Sequence, residues 1–342
     1  MVPAFNAAPF IAGAIQSVLG QTHRDLRLVV VDDGSTDATA RVVTGFSDPR
    51  LTLIWQCNAG VAAARNRGMA DADGDALLFL DADDWLAPSA LADLSATLDG
   101  APEAVAAVGP YARVDAAGGP SRQPPVRRRP ATHAPPRDLP ARVVAAQTAP
   151  RDLLARLVVQ NQFANGGHVL IRRSAARRAG TFRPGVVYGE DWDYFVRLAL
   201  QGPFAFVPTR APLLFVRSRA DGAYRRLAAD PAAFAPCMAA IFGNPGLEAR
   251  FGPARLAALR RRAEAENAWI VGRELVRQGR AGEGRRWLTR SVAAAPTLRR
   301  MALLAAAHAL PLLPRAWHGP FRAYAEAGAA TEGRGGSLAR HG

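Results

Sequence analysis

The chain has 342 residues, 49% of them hydrophobic, and a net charge of +14 that comes entirely from arginine, because lysine is absent. This length allows one large domain with a sizeable core and a smaller second domain. Two distant cysteines, Cys57 and Cys237, argue against a disulfide framework and indicate a reducing compartment. The longest apolar run, residues 301–313, is too short to span a bilayer, and no signal-peptide pattern opens the chain. We therefore expect a cytoplasmic protein.

The positive charge has three interpretations. Nucleic-acid binding is one, but no basic strip with interleaved aromatic residues occurs, so no nucleic-acid partner is expected. A GC-rich genome that encodes basic residues as arginine explains the excess more simply. Peripheral contact with anionic lipids of the inner membrane leaflet is the third. The C-terminal third favours it, because Arg255 and residues 260–262 crowd one predicted helix there.

The first hundred residues alternate between strand and helix patterns. Apolar spacing predicts helices over residues 9–19, 36–46, 59–70 and 88–98, and strands over 26–31, 51–55 and 76–80. Ser35 or Thr36 is expected to cap the second helix, and Asn58 to open the third. Strand–helix repetition with short connections predicts an α/β fold, in which a mostly parallel sheet carries helices on both faces.

The pattern changes after this region. Residues 118–142 are rich in Pro, Gly and Arg without periodicity, which predicts a flexible surface loop or lid. The later elements are predicted as helices over 151–160 and 191–200, strands over 168–171, 204–207 and 213–216, and then helices over 247–278, 281–294 and 297–310. We expect an α/β domain over residues 1–225, a helical region over 226–327 and a disordered tail over 328–342.

Two acidic clusters directly follow predicted strands. Residues 32–37 follow one strand and residues 81–84 follow another, so both clusters belong to the carboxyl edge of the sheet, where open α/β folds bind ligands. Carboxylates that gather there repel one another unless a cation lies between them, and oxygen ligands suit Mg²⁺ or Mn²⁺. Asp81 and Asp83 are spaced to hold one such ion. The alternative is that these acids only form turns. The pattern favours a metal-assisted site for a phosphorylated, nucleotide-linked substrate.

Two further segments have both a functional and a structural interpretation. The turn at residues 58–60 opens a helix that carries Arg65, which suits an anion, although an ordinary capped helix has the same pattern. Residues 189–193 hold three acids in a first helical turn, where the helix dipole favours them. One of these acids is a candidate general base. His168 and His133 have no partners at metal spacing and are interpreted as structural or exposed.

The order and spacing of these segments resemble family 2 glycosyltransferases. The resemblance covers about residues 1–220, and it rests on residues 2–6, 14–22, 31–37, 58–68, 80–85 and 189–193. It implies the GT-A fold, a nucleotide-diphospho-sugar donor (a UDP-sugar in the first instance), Mg²⁺ or Mn²⁺, and inversion at the anomeric carbon. It also implies a saccharide or lipid-linked acceptor, as in cell-surface polysaccharide or glycolipid synthesis.

The same resemblance implies roles for individual residues. Those implied to bind the nucleotide-sugar are Pro3, Phe5, Asn6, Asp32, Asp33, Gly60, Arg65 and Asp81. Asp83 is the expected metal ligand together with Asp81, and Asp84 is the alternative. Asp191 matches the catalytic base, with Glu190 as its neighbour.

One departure from the family concerns the start of the chain. The family has a full apolar strand before the segment at residues 3–6, whereas only Met1 and Val2 precede it here. Either the true start lies upstream, or the strand is short and its neighbours are partly unpaired. A non-catalytic nucleotide-sugar-binding relative and a basic nucleic-acid-binding protein are the other classes of function considered.

Overall fold

The computed structural model describes residues 1–114, 142–144, 152–218 and 227–309, with the backbone alone at 142–144. The chain divides into two compact units, one formed by Met1–Leu157 with Asn161–Ala220 and one by Val158–Gln160 with Asp221–Gly342. The predicted tail lies outside the described residues, and so does the predicted loop over 118–142 except for its last residue. Within the described parts, no helix is both long and apolar enough to cross a membrane.

A parallel three-stranded sheet begins the first unit. Its strands are β1 (Val2–Ala4), β2 (Leu28–Asp32) and β3 (Leu51–Trp55), in that order across the sheet. The connecting helices are α1 (Ile11–Leu19), α2 (Thr39–Thr44) and α3 (Val61–Ala70). Every residue of β2 is buried, as expected for a strand covered on both faces. The parallel strand–helix arrangement predicted for this region is confirmed.

Two four-stranded sheets complete the strand pairing. One has the order β10 (Phe204–Phe206), β6 (Ala106–Val108), β9 (Val169–Arg172), β4 (Ala76–Leu77). The other has the order β5 (Trp85–Leu86), β11 (Leu214–Arg217), β7 (Tyr111–Val114), β8 (Arg142–Val144). Both combine parallel and antiparallel pairs. The accompanying helices are α4 (Ala90–Asp99), α5 (Leu153–Val159), α6 (Arg173–Ala179) and α7 (Glu190–Ala199).

Several local predictions differ from the structure. The strand predicted over 76–80 is regular only at its first two residues. Beyond them, the Met1 amino group donates to the Leu78 carbonyl (2.8 Å), and the Leu80 amide donates to the Met1 carbonyl (3.0 Å). The predicted side-chain caps are wrong. Helix α2 begins after Ala38 and α3 after Gly60, and neither has a side-chain cap.

The second unit is helical in its described part. Its helices are α8 (Phe234–Phe242), α9 (Pro245–Arg277), α10 (Ala281–Ala294) and α11 (Leu298–Ala309). The last three confirm predicted helices, although α9 is interrupted at Gly252, where φ is 72°. Helices α9 and α10 cross closely at two glycines, since a Cβ on Gly284 would lie 2.8 Å from the Gly272 carbonyl oxygen.

Candidate active site

Three loops meet at the carboxyl edge of the parallel sheet. Asn6, in the loop after β1, has a left-handed backbone (φ 49°), which Asn tolerates better than most residues. The side-chain oxygen of Asn6 accepts a hydrogen bond from the Thr36 backbone amide (2.8 Å). The backbone amide of Asn6 donates to the Ser35 hydroxyl (3.0 Å). Ser35 and Thr36 therefore join the first loop to the second rather than capping α2. The neighbouring Phe5 ring remains 52% exposed.

Asp33 joins the second loop, which follows β2, to the third loop, which follows β3. It is buried directly after β2. Its carboxylate accepts three hydrogen bonds, from the Gln56 side chain (2.7 Å) and from the amides of Ala59 (2.9 Å) and Gly60 (2.8 Å). Gly34 follows with φ 75°, and a Cβ there would lie 2.8 Å from the Asn58 amide nitrogen. The third loop therefore approaches residue 34 closely, which favours glycine at that position.

Asp32 and Pro3 lie beneath these loops. One oxygen of Asp32 accepts from the Ser35 amide (2.9 Å), and the other is buried without a hydrogen-bond partner among the described residues. Pro3 is buried in β1 opposite Val31. The candidate nucleotide residues of the first sixty positions therefore share one edge of the sheet.

Residues 81–84 form a turn in which the Asp84 amide donates to the Asp81 carbonyl (3.1 Å). The Asp84 side chain is 2% exposed and accepts from the Asn165 side-chain amide (2.5 Å) and the Arg217 backbone amide (2.8 Å). Burial, and then the charges of Asp83 and Asp81, raise the pKa of Asp84 well above its ordinary value. Both oxygens of Asp84 are engaged, so this carboxylate is a structural part of the turn.

Asp81 and Asp83 are half-buried and fit a divalent cation. Their donors are carboxylate oxygens, which Mg²⁺ and Mn²⁺ prefer. In the part of the chain that the structure describes, no group of three or more His, Cys, Asp or Glu side chains is arranged to hold a metal ion. Mg²⁺ commonly takes only one or two protein carboxylates and completes its shell with waters and substrate phosphates.

Arg65 on α3 connects the two acidic segments. Its guanidinium donates from Nη1 to Glu190 Oε1 (2.6 Å) and from Nη2 to Asp81 Oδ1 (3.0 Å), and its side chain is only 4% exposed. Burial lowers the pKa of Arg65, but the charges of Asp81 and Glu190 more than compensate, so the pKa lies above its ordinary value. Gly60, at the start of the same helix, donates its backbone amide to Asp33. Helix α3 therefore links the carboxylate of Asp33 to the acids that Arg65 contacts.

Helix α7 carries the last acidic segment. It begins after Gly189, whose φ of 77° turns the chain into the helix. Asp191 is half-buried, and its Oδ1 accepts from the Trp192 amide (2.7 Å). Burial, and then the neighbouring charge of Glu190, raise the pKa of Asp191 to about 7, against the opposing effect of Arg65. A carboxylate with a pKa near neutrality suits general-base work.

The third acid of this segment, Asp193, has a different environment. It is buried and pairs with Arg197 one turn later (3.0 Å). Arg197 also donates to the Ala179 and Thr181 carbonyls, which fixes the segment that leads into α7. Asp193 also pairs with Arg183, which lies outside α7 (3.4 Å), so it is a structural acid that ties α7 to the preceding segment.

Several supporting residues were not predicted from the sequence. Asn165 and Arg217 reach Asp84 from 81 and 133 positions away, and no local pattern marks such contacts. The Arg217 guanidinium lies 4.9 Å from the Trp85 ring centroid and donates to the Asp83 carbonyl (3.1 Å). His168 is structural, as expected: it contacts the Gly109 carbonyl, and burial lowers its pKa to about 4.

Comparison with known proteins identifies the class to which this fold and site belong. The sequence model of Glycosyl transferase family 2 matches residues 1–176. The chain belongs to this glycosyltransferase family, which confirms the resemblance found in the sequence. Glycosyltransferase GlyA of Streptococcus pneumoniae is 40% identical over 88 residues, which are 25% of this chain and 13% of GlyA. The chain thus matches only a small part of the length of this relative.

Solved structures show the same fold at low sequence identity. TarS 1-349 of S. aureus, solved with UDP-GlcNAc, has a TM-score of 0.52 and 17% identity, with 96% of this chain and 90% of that chain covered. The mannosyltransferase PcManGT of Pyrobaculum calidifontis, solved with GDP-Man and Mn²⁺, has a TM-score of 0.52 and 22% identity, with 96% and 85% covered. The predicted GT-A fold is confirmed.

Proposed function

We propose that this glycosyltransferase moves a sugar from a nucleotide-diphospho-sugar to a hydroxyl of a saccharide or lipid-linked acceptor, with inversion. The observation that carries the proposal is the guanidinium of Arg65, which contacts Asp81 at 3.0 Å and Glu190 at 2.6 Å. The candidate base, Asp191, follows Glu190 directly. One side chain therefore contacts a carboxylate suited to a metal and the neighbour of the candidate base, and Asp191 itself acts electrostatically on Arg65.

The joined loops after β1, β2 and β3 are the donor side of the proposed site. The exposed Phe5 ring offers a flat face to a base, next to Asn6, Pro3, Asp32 and Asp33. TarS was solved with UDP-GlcNAc and PcManGT with GDP-Man, which supports a nucleotide-sugar as the donor class. A UDP-sugar is the first choice for testing.

Asp83, together with Asp81, would hold Mg²⁺ or Mn²⁺. Asp84 is not assigned to the ion, because each of its two carboxylate oxygens already accepts a hydrogen bond, one from Asn165 and one from Arg217. When bound, such an ion neutralises charge on the diphosphate leaving group. The Mn²⁺ in the PcManGT structure supports a divalent cofactor of this kind.

Asp191 removes the proton from the acceptor hydroxyl. The acceptor oxygen then attacks the anomeric carbon from the face opposite the nucleotide, the bond to the diphosphate oxygen breaks, and the configuration inverts. The raised pKa of Asp191, about 7, makes it a stronger base than an ordinary carboxylate. Fixed charges that oppose the charges developing on sugar and diphosphate stabilise the transition state more than the ground state.

A donor screen tests the proposal. UDP-, GDP- and dTDP-sugars are added with and without Mn²⁺ while the thermal unfolding temperature is measured. The stabilising donor is then incubated with acceptor saccharides, and the anomeric configuration of the product is read by NMR. We expect metal-dependent stabilisation by one donor class and a product of inverted configuration. A product of retained configuration would contradict the mechanism, and the absence of any stabilising donor would contradict the function.

Two other functions predict different results. A non-catalytic relative would bind the donor but neither transfer nor hydrolyse it, and the presence of both Asp83 and Asp191 favours the enzyme. A nucleic-acid-binding protein would shift a nucleic-acid probe on a gel at physiological salt, which we do not expect.

The proposal includes peripheral contact with the inner membrane leaflet. Helix α9 carries exposed side chains of Arg255, Arg260, Arg261 and Arg262. Such clusters attract anionic head groups. Flotation with anionic and with neutral liposomes at low salt tests the contact. A variant with residues 260–262 changed to Gln should float less with anionic liposomes, and equal flotation of both proteins would remove the idea.

A further inference from the structure

Arg65 bridges parts of the chain that are far apart in sequence. Its two acceptors, Asp81 and Glu190, lie 16 and 125 positions away. One belongs to the turn of the proposed metal carboxylates, and the other precedes the proposed base. Arg65 therefore links these two segments directly.

The cation of this bridge is buried, so it needs negatively charged partners. The Arg65 side chain is 4% exposed, and its Cζ lies 5.3 Å from the centroid of the Phe182 ring. A buried cation needs paired carboxylates, and buried carboxylates need a cation. Asp81, Glu190 and Asp191 all act electrostatically on Arg65. Without the guanidinium, the three acids would repel one another in a partly dehydrated environment.

We propose that Arg65 is a positioning residue of the transfer reaction, which holds Asp81 and Glu190 at a fixed separation and thereby sets the place of Asp191 relative to the diphosphate. The inference rests on the proposed function. It differs from the role implied by family resemblance, in which Arg65 contacts the nucleotide. Its two Nη atoms already donate to protein carboxylates, and its Nε is buried without a hydrogen-bond partner among the described residues.

The two roles predict different kinetics. A positioning residue acts on the geometry of the reacting groups, and a misplacement of 1 Å can cost about 10²-fold in rate. A nucleotide ligand contributes to donor binding, so its loss raises KM or Kd. Lys cannot replace the bridge fully, because its ammonium lacks the planar fork that reaches two carboxylates.

The first experiment compares Arg65→Gln and Arg65→Lys with the parent, using Arg67→Gln as a matched control. Arg67 lies on the same helix but is exposed. We expect Arg65→Gln to lower kcat about 10²-fold, with the donor Kd in Mn²⁺ changed by less than about threefold. The kcat of Arg65→Lys should lie between the values of Arg65→Gln and the parent, and the kcat of Arg67→Gln should match that of the parent. Loss of donor affinity at near-parental kcat would overturn the proposal in favour of a nucleotide contact.

The second experiment needs no activity. The free energy of unfolding in urea is measured for Arg65→Lys, Glu190→Gln and the double variant, with Arg67→Gln and Glu190→Gln as a control cycle. A working bridge makes the first cycle non-additive and leaves the control additive. Additive effects in both cycles would overturn the bridge. If no donor is turned over by the parent, the proposed function fails, while this cycle still decides whether Arg65 couples the two segments.

Discussion

The two carboxylate groups at the edge of the α/β unit are held in different ways. Asp33 is satisfied by uncharged donors, two backbone amides and the Gln56 side chain, at 2.7–2.9 Å. Asp81 and Glu190 instead share one buried guanidinium, and Asp191 beside them has its pKa raised to about 7. Asp33 is thus held by hydrogen bonds from neutral groups, whereas Asp81, Glu190 and Asp191 act together on the guanidinium of Arg65.

The two kinds of environment give the carboxylates different effects on stability and on catalysis. A carboxylate with all its hydrogen bonds made, such as Asp33, stabilises the loops that it joins. A carboxylate whose charged form is disfavoured by burial, such as Asp191, is a reactive group held at a cost in stability. Mutation of Asp33 should therefore lower mainly stability, whereas mutation of Asp191 should lower mainly activity.

The largest expected effect comes from Asp191→Asn. Removal of a general base lowers turnover by typically 10²–10⁴-fold, so kcat should fall in that range while the donor Kd in Mn²⁺ stays near the parental value. Steady-state kinetics and calorimetry provide the two numbers. Turnover like that of the parent would show that Asp191 is not the base.

Asp83→Ala should affect binding rather than proton transfer. Because Asp83 is the proposed metal ligand, its loss should remove the extra thermal stabilisation that Mn²⁺ gives to the donor complex. Asp75→Ala is the control, since the Asp75 side chain is fully exposed. An unchanged metal effect on the donor in Asp83→Ala would count against the assignment.

Asp33→Ala tests the other group of carboxylates. It would leave the Gln56 side chain and the amides of Ala59 and Gly60 without their acceptor, so the free energy of unfolding should fall by about 1–3 kcal/mol. Urea unfolding measures this, with Asp75→Ala again as the exposed control. A loss no larger than that of the control would mean that the third loop does not depend on Asp33.

The smallest expected effect is a pH dependence of stability. The pKa of Asp191 is raised from 3.8 to about 7 in the folded chain, so between these values the folded state binds more protons than the unfolded state. The free energy of unfolding should therefore fall as the pH rises from about 4 to 7. The expected change is on the order of 1–2 kcal/mol, below the full linkage value, because solvent screens the half-buried Asp191. Asp191→Asn should remove that part of the slope, and an identical slope in both proteins would contradict the raised pKa.

Some features of the site follow from short-range sequence patterns. The apolar run of β2 predicted a buried strand, and the acids after it were placed correctly at the carboxyl edge of a parallel sheet. The acids at the start of α7 were also placed within one residue of the helix start. These predictions depend on strand burial and helix periodicity, which operate over a few residues.

Other features could not be predicted in this way. Ser35 and Thr36 have the residue types of a helix cap, but their groups contact Asn6, about thirty positions earlier. Asp84 was an alternative metal ligand in the sequence, and only its contacts with Asn165 and Arg217 show its structural role. Partners brought together by chain folding leave no local signal.

The sequence by itself determined the family, the α/β order of the first hundred residues and the identity of the acidic segments, because these depend on residue type and near-neighbour spacing. Only the tertiary structure decided which acids are satisfied and which share a cation. Asp81 and Glu190 share the guanidinium of Arg65, which donates a hydrogen bond to each of them. The physical reason is that burial and charge pairing are properties of the packed chain. Burial contributes most to the raised pKa of Asp191, followed by the adjacent charge of Glu190, and Arg65, which is distant in sequence, opposes both.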